Sequence, residues 1–281
     1  MKKPTPVGLI GAGSLSDSPL TRFWALSERL GPVKSGSYRV ASRLANILRA
    51  GHPVKDYSEF EFCLLILVCV PEETIPDVVS QMLSSDVSWR GKAVALCSTW
   101  LDSSELRELS ARGAAVGSIS PIPGFDEQRY LVEGDSLAVR ELKLLVEHRE
   151  RRVIAVERPL KPFYLAALTA TGTLLFALLS VASESLHLAG ISPASSATLL
   201  DRQLTRTLRS FLKGGRRAFP EPRELLPQLR ALAVADPELA HYLEESCRLA
   251  AQLMESRYTG QPSSPKRPLD KMAAAANSTK R

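Results

Sequence analysis

Apolar and polar positions in the first half of the chain alternate between two periods. Short apolar runs bounded by Gly, Pro or polar clusters are followed by segments with apolar residues three and four apart. That rhythm is the mark of β-α-β units built around a parallel sheet. Residues 6–10 predict the first strand, and Ser14-Leu15-Ser16-Asp17-Ser18-Pro19 opens a helix running to Leu30. Ser and Asp suit an N-cap there, and Pro19 fits only a first turn. A second strand is expected at 33–37, then a helix with Ala41, Leu44, Ala45 and Leu48 on one face, closed by Gly51, and a short strand at 52–54. Residues 63–70 form an uninterrupted apolar run, as a strand covered on both faces requires. Pro71-Glu72-Glu73-Thr74 starts a helix over 75–83, followed by a strand at 93–97, a helix at 103–111 and a strand at 115–119. The pattern therefore predicts six strands.

Beyond Val156 the strand signals vanish and long helical patterns take over at 162–189, 192–213, 223–233 and 237–257. Gly190 and Gly214-Gly215 stop the first two, as helix-terminating glycines do. The expected organisation is an α/β domain over 1–156 with a Rossmann-type, mostly parallel sheet, an all-helical domain over 157–258, and a disordered basic tail over 259–281, rich in Pro, Ser and Ala. The first of these helices carries 22 residues without a charge, between Lys161 and Glu184. That is long enough to cross a membrane. It also holds Pro162, Thr169, Thr171, Gly172, Thr173, Ser180 and Ser183 and has no second span to pair with, so a helix buried in a large domain or an oligomer is the preferred expectation. No membrane partner is expected.

Charge alters the picture less than the total suggests. The formal net charge is +6, yet residues 4–258 contain 29 basic and 29 acidic residues. The excess sits at the two ends, so nucleic-acid binding by the folded part loses its electrostatic support. Cys63, Cys69, Cys97 and Cys247 lie in or beside apolar runs without metal-site spacing, as buried thiols of a cytoplasmic protein do. The N-terminus shows no secretory h-region, and cytoplasm is the expected location. His52, His148, His187 and His241 are scattered, and no metal site is expected. No nucleophile elbow or Walker loop anchors a hydrolase or NTPase reading.

The candidate chemistry begins at Val7-Gly8-Leu9-Ile10-Gly11-Ala12-Gly13-Ser14-Leu15-Ser16. This segment stands where a dinucleotide fingerprint must stand, after the first strand and at the start of a helix. Gly11 permits the tight turn, Gly13 lets the backbone approach a pyrophosphate, and the amides at Ser14 and Leu15 open the helix toward its charge. Ser16 replaces the third glycine, and Asp17 beside it would repel phosphate unless it points away, which keeps open a turn that binds nothing. An NAD site wants an acid about 20 residues on. Here Lys34-Ser35-Gly36-Ser37-Tyr38-Arg39 offers none, so NADP is the expected cofactor, with Ser37 and Arg39 as candidate contacts. Arg39 and Arg43 can equally form a solvated helix face.

At this point the chain resembles a family. The strand-one glycines, Leu67-Val68-Cys69-Val70-Pro71, Ser120-Pro121-Ile122-Pro123-Gly124-Phe125, Val132-Glu133-Gly134-Asp135 and Lys161-Pro162-Phe163-Tyr164 follow one another as in Rossmann-like NADP-binding proteins with a C-terminal helical domain of unknown function. Those proteins are related to pyrroline-5-carboxylate reductase, ketopantoate reductase and 6-phosphogluconate dehydrogenase-like proteins. The resemblance spans roughly residues 5–255. It implies NADP binding by the first domain, with Val70, Pro71 and Ser98 among the contacts, and a helical domain that makes a homodimer. It also implies an oxidoreductase site for a small imine, oxo acid or similar substrate in the interdomain cleft.

The departures bear on catalysis. Where such relatives carry His-Pro-Leu-Gln this chain has Ser120-Pro121-Ile122-Pro123, and where they carry Tyr-His-Ala-Ala it has Tyr164-Leu165-Ala166-Ala167. Gly172-Thr173 stands near their helix Asn. Acid–base work needs a positioned titratable group, and the remaining candidates are Ser120, Tyr164 and Lys161, then Glu133 or Asp135. Each has a purely structural alternative: Lys161 a helix start, Tyr164 a core aromatic, Glu133-Gly134-Asp135 a turn with a helix cap. A dinucleotide-binding sensor or scaffold without catalysis is therefore the second reading.

Overall fold

The computed structural model describes residues 5–11, 26–124, 129–146, 152–215 and 226–256. The chain divides into two compact units, Met1–Leu168 and Thr169–Arg281. In the first, eight strands form one sheet: β1 (Val7–Gly11), β2 (Leu30–Lys34), β3 (His52–Pro53), β4 (Leu65–Cys69), β5 (Ala93–Leu96), β6 (Ala115–Pro121), β7 (Arg129–Gly134) and β8 (Arg152–Val156). Their order is β3-β2-β1-β4-β5-β6-β7-β8. Every neighbouring pair is parallel except β6 with β7. The expected Rossmann-type, mostly parallel sheet is therefore present, followed by an all-helical region.

Alternation along the strands divides the core into two layers. Leu9, Leu65, Leu67, Ala95, Ile119 and Val132 face one side, where α2 (Tyr38–Leu48) and α5 (Ser136–Val146) supply Ala41, Leu44, Ala138 and Leu142. Ile10, Ile66, Val68, Val94, Leu96 and Val116 face the other, where α3 (Ile75–Leu83) supplies Ile75, Val79 and Met82 and α4 (Arg107–Ala111) supplies Leu109. The uninterrupted apolar run of β4 has its reason here. Both of its faces are covered.

Two strands were not legible. β7 carries the charged Glu133 inside an apolar run, and β8 is a largely exposed edge strand without alternation. The second strand also begins three residues earlier than expected, at Leu30 rather than 33, because Gly31-Pro32 lies inside it. Pro32 is accommodated where the pairing with β1 shifts register between Val7 and Leu9, as a proline inside a sheet requires. The expected helix from Ser14 lies mostly outside the described residues; its last turn is α1 (Leu26–Arg29).

Gly134 ends β7 at φ +130°, and a Cβ there would stand 2.3 Å from the Val116 carbonyl oxygen and 2.4 Å from Gly117 Cα. Backbone, which cannot swing aside, meets it from both directions. Gly134→Ala is therefore expected to cost at least about 2 kcal/mol, combining positive-φ strain with a backbone clash. Urea unfolding checks this, and a loss below about 0.5 kcal/mol would contradict it.

α6 (Lys161–Thr169) runs through a π-helical turn at Ala170–Leu174 into α7 (Leu175–Leu188). Thr171, Gly172 and Thr173 occupy the turn, and such residues give the helical ladder little support. In the second unit α7 packs on α8 (Pro193–Gly214), and α9 (Leu226–Ala235) on α10 (Pro237–Ser256). Ser192 caps α8 by accepting from the Ser195 amide. The continuous helix is long and apolar enough to cross a membrane by length and composition, and no residue of its most apolar stretch is buried in the chain. The single chain thus leaves uncovered the helix expected to be buried.

Candidate functional site

In the order β3-β2-β1-β4-β5 the chain leaves β1 in opposite directions, placing a switch point between β1 and β4. Ligands of open α/β sheets bind outside the carboxyl ends of the strands at such a point. A cavity of about 470 Å³ opens there. Its floor is Ile10, Gly11, Val70 and Pro71, the carboxyl ends of β1 and β4 and the residues that follow. Gly11 is needed for close packing: a Cβ would lie 3.0 Å from Leu44 Cδ1. Gly8 is held more tightly still, since a Cβ there would stand 2.7 Å from the Phe60 ring.

One wall is the turn after β2, Lys34, Ser35, Gly36 and Ser37. Ser37 also caps α2 by accepting from the Val40 amide. Lys34 Nζ lies 4.9 Å from the centre of the Tyr57 ring, a cation–π distance that holds the ammonium at the cavity edge. Arg39 is exposed and borders a separate open depression on α2 with Arg43 and Asn46, so the wall's cation is Lys34. Lys34 falls inside the strand expected at 33–37, which leaves the arginines after it as the nearer basic groups; β2 in fact ends at Lys34. The cavity suits the adenosine phosphate end of a dinucleotide: a glycine floor, apolar sides and one cation. Gly13, Ser14 and Leu15 lie outside the described residues.

At β5 and β6 a second cluster forms. Lys161 is 1% exposed, and its ammonium donates to the Ser98 carbonyl at 3.2 Å, to Ser118 Oγ at 2.8 Å and to the Leu101 carbonyl. An ammonium has three N–H groups. All three are taken, so Lys161 fastens the loop after β5 to β6. Desolvation lowers its pKa, opposed first by the charge of Glu133, then Asp102 and Glu72. Glu133, 0% exposed on β7, accepts from the Ser103 amide at 2.7 Å and Ser103 Oγ at 2.8 Å. Ser98 Oγ donates to Glu72 Oε1 at 2.7 Å and accepts from the Trp100 and Leu101 amides. Asp135 Oδ2 accepts from the Val116 amide at the opposite end of β6, away from this cluster.

Ser120 Oγ and Tyr164 Oη are buried and have no hydrogen-bond partner among the described residues. Ser120 is two residues beyond Ser118 on the same face of β6, near its carboxyl end. Tyr164 stands one helical turn beyond Lys161 on α6. Burial raises the Tyr164 pKa, which keeps the phenol protonated. Buried polar atoms are rarely left unpaired, and hydroxyls two residues beyond Ser118 and one turn beyond Lys161, a pair that is itself hydrogen-bonded, suit a bound polar molecule. Among the described residues no group of three or more His, Cys, Asp or Glu could hold a metal ion.

Solved structures share this architecture. An imine reductase from Aspergillus terreus in complex with NADPH4 and a dibenzazepine gives a TM-score of 0.65 at 17% identity, over 94% of this chain and 98% of its own. The fold is that of the imine reductases. A reductive aminase from the same organism, in complex with NADPH and ethyl-5-oxohexanoate, gives 0.61 at 17% identity, over 93% of this chain and 98% of its own. The imine reductase of Myxococcus stipitatus in complex with NADP+ gives 0.61 at 15% identity, over 88% and 94%. No protein-family model and no curated protein matches the chain. Likeness to the imine reductases at these identities concerns the fold, and chemistry must be argued from the site.

Proposed function

We propose that the protein is an NADPH-dependent oxidoreductase that reduces a small C=N or C=O substrate. The observation that carries this reading is the pair of buried, unpartnered hydroxyls, Ser120 on β6 and Tyr164 on α6, in a fold whose sheet switch point holds a cavity suited to the adenosine phosphate end of a dinucleotide. Solved structures of this fold in complex with NADPH or NADP+ support the choice of cofactor. Lys34, Ser35 and Ser37 would hold the 2′-phosphate, and Gly11, Val70 and Pro71 would lie under the adenosine. The reduced nicotinamide, when bound, supplies a hydride to the substrate carbon. Tyr164 holds a proton on Oη for the substrate nitrogen or oxygen, and Ser120 Oγ orients that atom. Lys161 and Ser98 keep the loop after β5 in place without touching the reacting atoms. The kinship with pyrroline-5-carboxylate and ketopantoate reductases, and the cytoplasmic location, belong to the same proposal. So does a homodimer in which a second copy covers the apolar helix through α7, whose Phe176 and Leu178 are exposed.

The test is calorimetric titration with NADPH and NADH, followed by NADPH consumption with a panel of small imines, oxo acids and aldehydes. Lys34→Ala is expected to weaken NADPH binding about 10-fold or more, the worth of one charge-assisted hydrogen bond, and to leave NADH binding unchanged. Arg39→Ala is expected to change either by less than about threefold. Equal losses for both cofactors on Lys34→Ala would remove the phosphate contact. The saturated donors of Lys161 favour the sensor reading, in which NADPH binds and no substrate is turned over.

A further inference from the structure

Part of the cavity lining has no role in the proposed reduction. It is one face of α3 and the turn before it, where Thr74, Asp77, Val78 and Gln81 fall at helical spacing. The Thr74 hydroxyl is engaged, donating to the Pro71 carbonyl at 2.8 Å. Asp77 and Gln81 are one turn apart and exposed, and among the described residues neither side chain has a hydrogen-bond or ion-pair partner. The cavity lining thus combines an ammonium and two serine hydroxyls from the end of β2 and the turn after it with a carboxylate and a carboxamide from α3, together with the apolar Val40, Val70 and Val78.

Polarity of that kind orients a ligand. A phosphate is repelled by Asp77 and drawn to Lys34. The carboxylate needs a hydrogen-bond donor, and on the adenosine phosphate half of the cofactor the exocyclic amine is the donor that lies on the base. We propose that Asp77, assisted by Gln81, reads the 6-amino group of the adenine, so that the site distinguishes a 6-aminopurine dinucleotide from its 6-oxo counterpart. The proposal rests on the dinucleotide reading above and adds a base-specific contact to it. The two residues act differently. A carboxamide can present either its N–H or its oxygen and so satisfies an amine or a carbonyl. An ionised carboxylate only accepts, and a 6-oxo group facing it leaves two acceptors in contact.

The experiment is equilibrium binding, read by calorimetry, of NADPH and of its hypoxanthine counterpart, in which oxygen replaces the 6-amino group. The full-length protein is expected to prefer NADPH by about 10-fold, one charged hydrogen bond's worth. In Asp77→Asn the ratio is expected to fall to about twofold, chiefly because the hypoxanthine form binds better, since the carboxamide can turn. Gln81→Ala is expected to weaken both cofactors by a few-fold and leave the preference in place. Both positions are exposed on a formed helix, so the variants are expected to keep the parent's thermal midpoint, which shows that they fold. Equal affinity of the two cofactors for the parent protein, or an undiminished preference in Asp77→Asn, overturns the base contact and leaves the NADPH reading standing. Absence of binding by both overturns the NADPH reading and the base contact with it.

Discussion

Tyr164→Phe is expected to lower kcat for NADPH-dependent reduction by about 100-fold, the lower range for a lost general acid, with the Kd for NADPH unchanged. The substitution keeps the ring and removes one oxygen. That oxygen is buried and has no partner among the described residues, so its removal takes away a desolvated polar group, and stability is expected to rise by about 1 kcal/mol. A gain in stability with a loss of turnover separates a residue kept for chemistry from one kept for packing. Burial raises the phenol's pKa, so the proton is present across the ordinary working range and the acid limb of the pH profile should not move with this residue. Single-turnover rates in the variant and parent, beside urea unfolding of both, give the two readouts. An unchanged rate would end the acid role of Tyr164.

Glu133→Ala is expected to cost about 3 kcal/mol or more of unfolding free energy, because two hydrogen bonds to a buried carboxylate, each worth about 1.5–3 kcal/mol, are lost. Two groups lose by it. The Ser103 amide and hydroxyl are left without their acceptor, and Lys161, 1% exposed, loses the nearest charge that offsets its own desolvation. Glu133→Gln retains an acceptor for the Ser103 amide and should fall between the alanine variant and the parent. The deficit is expected to depend on pH with a definite sign. Lys161 already has a lowered pKa, and losing Glu133 lowers it further. Between that folded-state value and 10.5 the unfolded chain binds more protons than the folded one, so stability rises with pH through that window. The window is wider in the variant, and its deficit should therefore shrink as the pH approaches 10. Urea unfolding at pH 7 and pH 10 measures both quantities, and a cost below about 1 kcal/mol at pH 7 would overturn the structural role of Glu133 as the buried acceptor.

Several residues show how far reasoning from the chain alone could go. The strands at Val7–Gly11 and Leu65–Cys69 were visible because a strand covered on both faces leaves a continuous apolar run. The helical half was legible from its periodicity and its glycine stops, Gly190 after α7 and Gly215 at the end of α8. β7 was not, because the feature that argued against a strand, a charged residue in an apolar run, is explained only by Ser103 and Lys161, which lie 30 and 28 positions away in the chain. Arg39 was the expected cofactor cation, but β2 ends at Lys34, and this earlier end turns Lys34 toward the cavity and leaves Arg39 on the outer side of α2. Ser120, Tyr164 and Lys161 were all chosen as polar residues in quoted motifs, yet they divide in space. Lys161 has every donor engaged, whereas the other two have hydroxyls free for a ligand.

By itself the sequence determined the parallel sheet, the places along the chain of six of its strands and the change to helices after it. Those properties follow from periods of two and 3.6 residues and from Gly and Pro, all of which act over a few neighbours. The tertiary structure alone decided which cation lines the cavity, that Asp77 and Gln81 line it too, that Glu133 and Lys161 are both buried, and which buried hydroxyls lack partners. Each of these depends on register and on contacts between segments tens of residues apart, where a shift of three residues in one strand end exchanges one side chain for another.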